Sequence, residues 1–196
     1  MDNQSIRHFL ASLSYRFAKT VKDVPLEFPN LYLGKGVRTP VEIVNHMSHV
    51  LRYAINAFEE SNLDNTTVLN WEEEVQCFNQ TVQWLDGFLR RGLEPTRGVT
   101  LEQIAQGPVS DAMTHVGQLA LLRRMADSSI SGENFMEAGI RVDSCAILSS
   151  VPCATRDLQI RSGSWRAISP FRERAPIQTN LRVRIASNTT ISRKSP

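Results

Sequence analysis

Cysteine is scarce in this chain. Its three cysteines, Cys77, Cys145 and Cys153, are odd in number and stand at unrelated spacings. That pattern predicts neither a disulfide framework nor a zinc knuckle, and it points to a reducing, cytoplasmic compartment. Long apolar runs are also missing. None approaches the roughly 18 residues of a membrane span, so no membrane partner is expected. The opening Met1-Asp2-Asn3-Gln4 has neither the basic nor the apolar stretch of a secretory leader, and none is expected. There is no internal repeat and no Gly-x-Ser-x-Gly nucleophile elbow. Gly34-Lys35-Gly36 is too short to cradle a phosphate. What remains is ordinary globular composition: 196 residues, 41% hydrophobic and 21% charged. That suits one domain, or one domain with a tail, able to bury a core without disulfide or metal.

The net charge of +2 hides an asymmetry. Residues 143–196 carry eight arginines and one lysine against Asp143, Asp157 and Glu173. Residues 1–142 are correspondingly acidic. The basic pI belongs to the end of the chain, so it does not argue that the main body binds nucleic acid.

The first 142 residues read as helices. Ile6, Phe9, Leu10, Leu13 and Phe17 follow helical spacing and predict a helix over about 4–22. Residues 24–38, with two prolines and two glycines, read as a loop. Thr39, Pro40 and Glu42 mark a helix start, and Ile43, Met47, Val50, Ala54 and Phe58 carry that helix to about Glu60. Asn70 with Glu73 starts a third helix along Trp71, Val75, Phe78, Val82, Leu85 and Leu89, with Gly92 as its stop. Glu72, Glu73 and Glu74 suit the positive end of its dipole. Thr100–Ala105 reads as a short helical turn that Gly107-Pro108 breaks, and a last helix runs to about Ala126. These segments predict an all-α four-helix bundle over residues 1–142. Beyond Val142 Ser and Arg dominate, and residues 143–196 are expected to form an irregular, poorly ordered tail. The run from Leu181 to Ile185 alternates like a strand without an obvious partner.

Chemistry centres on the histidines His8, His46, His49 and His115. On a helical wheel His46 lies about 110° from the apolar direction of its helix and His49 about 170° from it. His46 therefore borders the buried face, while His49 is expected at the solvent side. Asp111 and His115 are four residues apart, on one face of the last helix, with Gln118 and Leu122 continuing the ladder. Two ligands at that spacing grip one ion without bending the backbone. His46 from a neighbouring helix is the candidate third ligand, and two imidazoles with one carboxylate leave positions open for water or substrate. Spacing alone leaves another reading open: Asp111 as a first-turn acid on the helix dipole, with His115 a core-edge histidine satisfied by it. Cys77 reads as buried and inert, and Arg90-Arg91 and Arg123-Arg124 as solvated helix ends.

The segment from Gly107 to Arg124, with its His115-Val-Gly-Gln-Leu119 stretch, resembles the last-helix motif of the DinB-like superfamily. Thr39-Pro-Val-Glu-Ile-Val-Asn-His-Met47 resembles that family's second-helix histidine motif, and Gly132-Glu-Asn-Phe135 the segment after the bundle in some members. The likeness spans roughly residues 5–141 and stops where the composition changes, as a divergent C-terminus would make it do. It implies a four-helix bundle with a divalent metal held by one histidine of the second helix and a His-x-x-x-His pair of the last. By position His46 matches the first ligand and His115 the final one. Asp111 stands where the family has its middle histidine. This harder, anionic ligand shifts the expected metal from nickel or zinc toward iron or manganese. Members of the family include metal-dependent thiol transferases, a mycothiol-dependent isomerase and hydrolases. The resemblance therefore implies thiol transfer or hydrolysis on a small-molecule substrate, with a low-molecular-weight thiol among the candidate partners and a homodimer as a possible assembly. The competing expectation is a non-catalytic bundle serving in binding or dimerisation.

Overall fold

The computed structural model describes residues 1–59, 67–96 and 98–142. The tail expected over 143–196, including the alternating run at Leu181–Ile185, lies outside them. The described residues form an all-α bundle without strands. Its long helices are α1 (Asn3–Val21), α2 (Pro40–Ile55) and α3 (Trp71–Arg90). A short α4 (Leu101–Ile104) leads through a π-helical stretch, Ala105–Val109, into the long α5 (Ser110–Met125). No helix among the described residues is long and apolar enough to cross a membrane.

The starts follow the capping chemistry. Asp2 Oδ1 accepts from the Ser5 amide at 2.7 Å, and Asn70 Oδ1 from the Glu73 amide at 3.0 Å. Glu42 reaches back to the Thr39 amide at 2.7 Å. Gly92, at φ +68°, turns the chain after α3 in a conformation that favours glycine. The second helix ends at Ile55, short of the expected Glu60. Just beyond that end, the Ala57 carbonyl accepts from the Thr96 amide at 2.6 Å and the Thr96 hydroxyl at 2.8 Å.

Gly107-Pro108 does not break the last helical segment. Pro108 has no N–H, and its ring would crowd the carbonyl one turn back in a regular α-helix. The chain widens into a π-turn instead, and the Ser110 hydroxyl bonds the Ala105 carbonyl at 2.7 Å. Helix continues from Leu101 to Met125, with one local change of register just before Asp111.

Six contacts fix the helix directions. Arg7 pairs with Asp86 and Phe17 packs on Phe78 with ring centroids 4.1 Å apart, so α1 and α3 are antiparallel. Asn45 bonds Glu74 and Phe58 stacks on Phe88, so α2 and α3 are parallel. The amino group of Met1 pairs with Glu102, and Arg123 reaches Thr20, so α5 runs parallel to α1 and antiparallel to α2. Parallel neighbours need a crossover rather than a hairpin turn, which is why residues 56–70 separate α2 from α3. The core between the helices includes Leu10, Phe17, Met47, Leu51, Phe78, Leu85, Val109 and Leu119, all at most 1% exposed.

Two polar groups read differently in three dimensions. Glu74 is buried, where it accepts from Asn45 Nδ2 at 2.9 Å and the Leu69 amide at 2.8 Å and faces the buried Arg52 charge. It ties α2 to α3 rather than merely facing a dipole. Arg123 is not a solvated helix end. It is 5% exposed and donates to the carbonyls of Thr20, Lys22 and Asp23, closing the C-terminal end of α1. The segment after α5 also returns to α1. Glu133 bonds Tyr15 and pairs with Lys19, and the Phe135 ring lies 3.8 Å from the Arg16 guanidinium carbon.

Candidate metal centre

The site lies on the seam where α2 meets α5. His46 sits on α2 between Asn45, held by Glu74, and the core residue Met47. The neighbouring α5 presents Asp111 and His115 one turn apart. His46 Nε2 lies 3.8 Å from Asp111 Oδ2, and His115 Nε2 lies 3.7 Å from Asp111 Oδ1. The two imidazoles meet edge to face with centroids 4.8 Å apart. One ligand atom from each of the three residues falls within 4.8 Å of the others, so the group could hold a metal ion.

The geometry bears on the alternative reading of Asp111. Separations of 3.7 and 3.8 Å exceed the hydrogen-bond range, so Asp111 does not satisfy either imidazole directly. Nor does it cap an open helix end. The Ser110 amide already donates to Ala105 and Gly107, and the helical chain begins at Leu101. Metal–ligand bonds of 2.0–2.2 Å place ligand atoms about 3–3.5 Å apart. The three ligand atoms, within 4.8 Å of one another, stand somewhat wider than that, so the group could hold an ion that drew them together.

Burial grades the three groups. The His115 side chain is 8% exposed, His46 31% and Asp111 48%. One of the three groups is therefore buried in the bundle, and the other two border solvent. His115 Nδ1 and Gln118 Oε1 are 2.8 Å apart. Burial, chiefly, pushes the His46 pKa down to about 4, with the charges of Arg38, His115 and His49 acting the same way and Asp111 opposing them. His46 is thus neutral at pH 7, its lone pair available without loss of a proton.

That depression has a consequence for the metal-free protein. Between about pH 6.5 and 4 the unfolded chain binds a proton at His46 that the folded chain refuses. His46's contribution should be complete above about pH 6.5 and fall as the pH drops toward 4, by at most about 1.4 kcal/mol per pH unit. Thermal melts in chelator should show that loss. His46→Gln should flatten it, and equal slopes for the two proteins would contradict the assignment.

The structure brings the three candidates named from the sequence, His46, Asp111 and His115, together on the α2/α5 seam. His49 is outside the group and half-buried rather than at the solvent face, and His8 is exposed on α1. Cys77 is buried, as its place on the amphipathic α3 suggested. Arg38, whose charge acts on His46, was not singled out; its place just before the Thr39 cap was the available signal. Compared with protein-family models, curated proteins and solved structures, the chain matches none.

Proposed function

We propose that this bundle is a divalent-metal-dependent enzyme of the DinB-like type, acting by thiol transfer or hydrolysis on a small molecule. The observation that carries the reading is the convergence of His46, Asp111 and His115 from two helices with their ligand atoms within 4.8 Å. His46 and His115 would each offer Nε2 and Asp111 a carboxylate oxygen. A carboxylate among two imidazoles favours iron or manganese over a site of imidazole alone, with zinc and nickel as the other candidates. When bound, the ion acts as a Lewis acid that acidifies a water or thiol reaching it, supplying an anionic nucleophile near neutral pH. Asp111 offsets part of the ion's charge. The buried His115 fixes the ion's position against the bundle, and the exposed edges of His46 and Asp111 leave room for the substrate.

The test is turnover that depends on metal. Chain reconstituted with zinc, nickel, iron or manganese is assayed against low-molecular-weight thiols paired with electrophiles, and against small esters and amides. Activity should appear with at least one ion, disappear in chelator and return on re-addition. A chain that binds an ion and turns over none of these substrates would contradict the catalytic reading, leaving a bundle that serves in binding or dimerisation.

A further inference from the structure

Gln118 has no place in the ligand set, yet its side chain lies 2.8 Å from the inner nitrogen of the most buried ligand. An amide oxygen only accepts a hydrogen bond. With Gln118 Oε1 facing Nδ1, the proton of neutral His115 must sit on Nδ1, and the lone pair must be on Nε2. Nε2 is the nitrogen that faces Asp111 at 3.7 Å. The bond the distal nitrogen makes decides which nitrogen of an imidazole can ligate. His115 is 6% exposed, so most of the ring is shielded from bulk water.

We infer that Gln118 is a positioning residue that locks His115 as the Nδ1–H tautomer and so presents Nε2 to the candidate metal centre. The inference rests on the metal reading for its purpose, but not for its geometry. Gln118 follows His115 by three residues, on the same side of α5, so the helix itself holds the two at bonding distance. Hydrogen-bond partners of this kind fix ring orientation and raise ligand basicity, and their loss typically costs 10–100-fold in metal affinity.

The test uses the whole chain. Gln118 is exposed, so Gln118→Leu removes the acceptor without opening a cavity, and its melting temperature checks the fold. Nitrogen chemical shifts of His115 in metal-free protein report the tautomer directly. Wild type should show protonated Nδ1. Gln118→Leu should show a mixture or the Nε2–H form, and Gln118→Glu, which keeps an acceptor, should restore Nδ1–H. Zinc titration should then show Gln118→Leu weakened about 10–100-fold. Unchanged tautomer and unchanged zinc affinity in Gln118→Leu would overturn the inference while leaving the metal reading intact. The tautomer shift without zinc binding to wild type would uphold the Gln118–His115 lock and overturn the metal reading alone.

Discussion

Replacing His115 with alanine should lower divalent-metal affinity by about 100-fold or more, equivalent to roughly 2.7 kcal/mol. The side chain is the most buried of the three candidate ligands, and it is the one whose distal nitrogen is engaged by a neighbour. Alanine leaves a carboxylate and one imidazole, both bordering solvent, and nothing else in the group supplies a donor in its place. Losses of 10–100-fold are typical when only a partner of a ligand is removed, so loss of the ligand itself should reach or exceed that range. His49→Ala is the matched control. His49 lies on the same helix as His46 but outside the group, so affinity should stay near wild type. Isothermal titration with zinc and manganese checks both. If His49→Ala loses the ion and His115→Ala keeps it, the assignment of ligands is wrong.

Replacing Arg123 with alanine should destabilise the bundle by about 3 kcal/mol, a fall of about 10 °C in melting temperature for a domain of this size. Its guanidinium donates to Thr20 at 3.0 Å, Lys22 at 2.6 Å and Asp23 at 3.4 Å, and to the Ser128 carbonyl at 2.7 Å and hydroxyl at 2.9 Å. The three carbonyls on and just beyond the end of α1 lack the next turn of helix as a donor. Alanine leaves them without this donor, with the Thr20 carbonyl in a buried position. Lysine has a single ammonium in place of the planar fork, so Arg123→Lys should recover only part of the loss. The adjacent Arg124 is exposed, and Arg124→Ala should change stability by less than about 0.5 kcal/mol. Equal effects at 123 and 124 would show that Arg123 does not close the helix end.

The contrast between these two arginines marks the limit of what was legible in the chain. Helical period and caps located α1, α2 and α3 because those signals are local: Asp2, Thr39 and Asn70 make their bonds within four residues. His46, Asp111 and His115 were legible as candidates because helix faces follow from spacing: Asp111 and His115 share one face, and His46 borders the buried face of its own helix. Arg123 was misread, and the further role of the first-turn acid Glu74 was missed, because their partners are distant in the chain. Thr20 stands 103 residues before Arg123 and Asn45 stands 29 before Glu74, and no periodicity announces such pairs. The continuity through Pro108 was missed for another reason. Gly-Pro reads as a helix stop, whereas here the Ser110–Ala105 bond and packing on α1 and α2 hold a widened turn together. That turn matters for the site, because it sets the rotation at which Asp111 and His115 face His46.

The most direct measurement of the central claim is the metal content of the full chain. Protein purified without an affinity tag, stripped with chelator and reconstituted separately with zinc, nickel, iron or manganese, is desalted and analysed for metal per chain. The account predicts one divalent ion per chain with at least one of these metals, and none in the His46→Ala/His115→Ala double variant. Wild type that retains no ion after reconstitution, or a double variant that still binds one per chain, would contradict it.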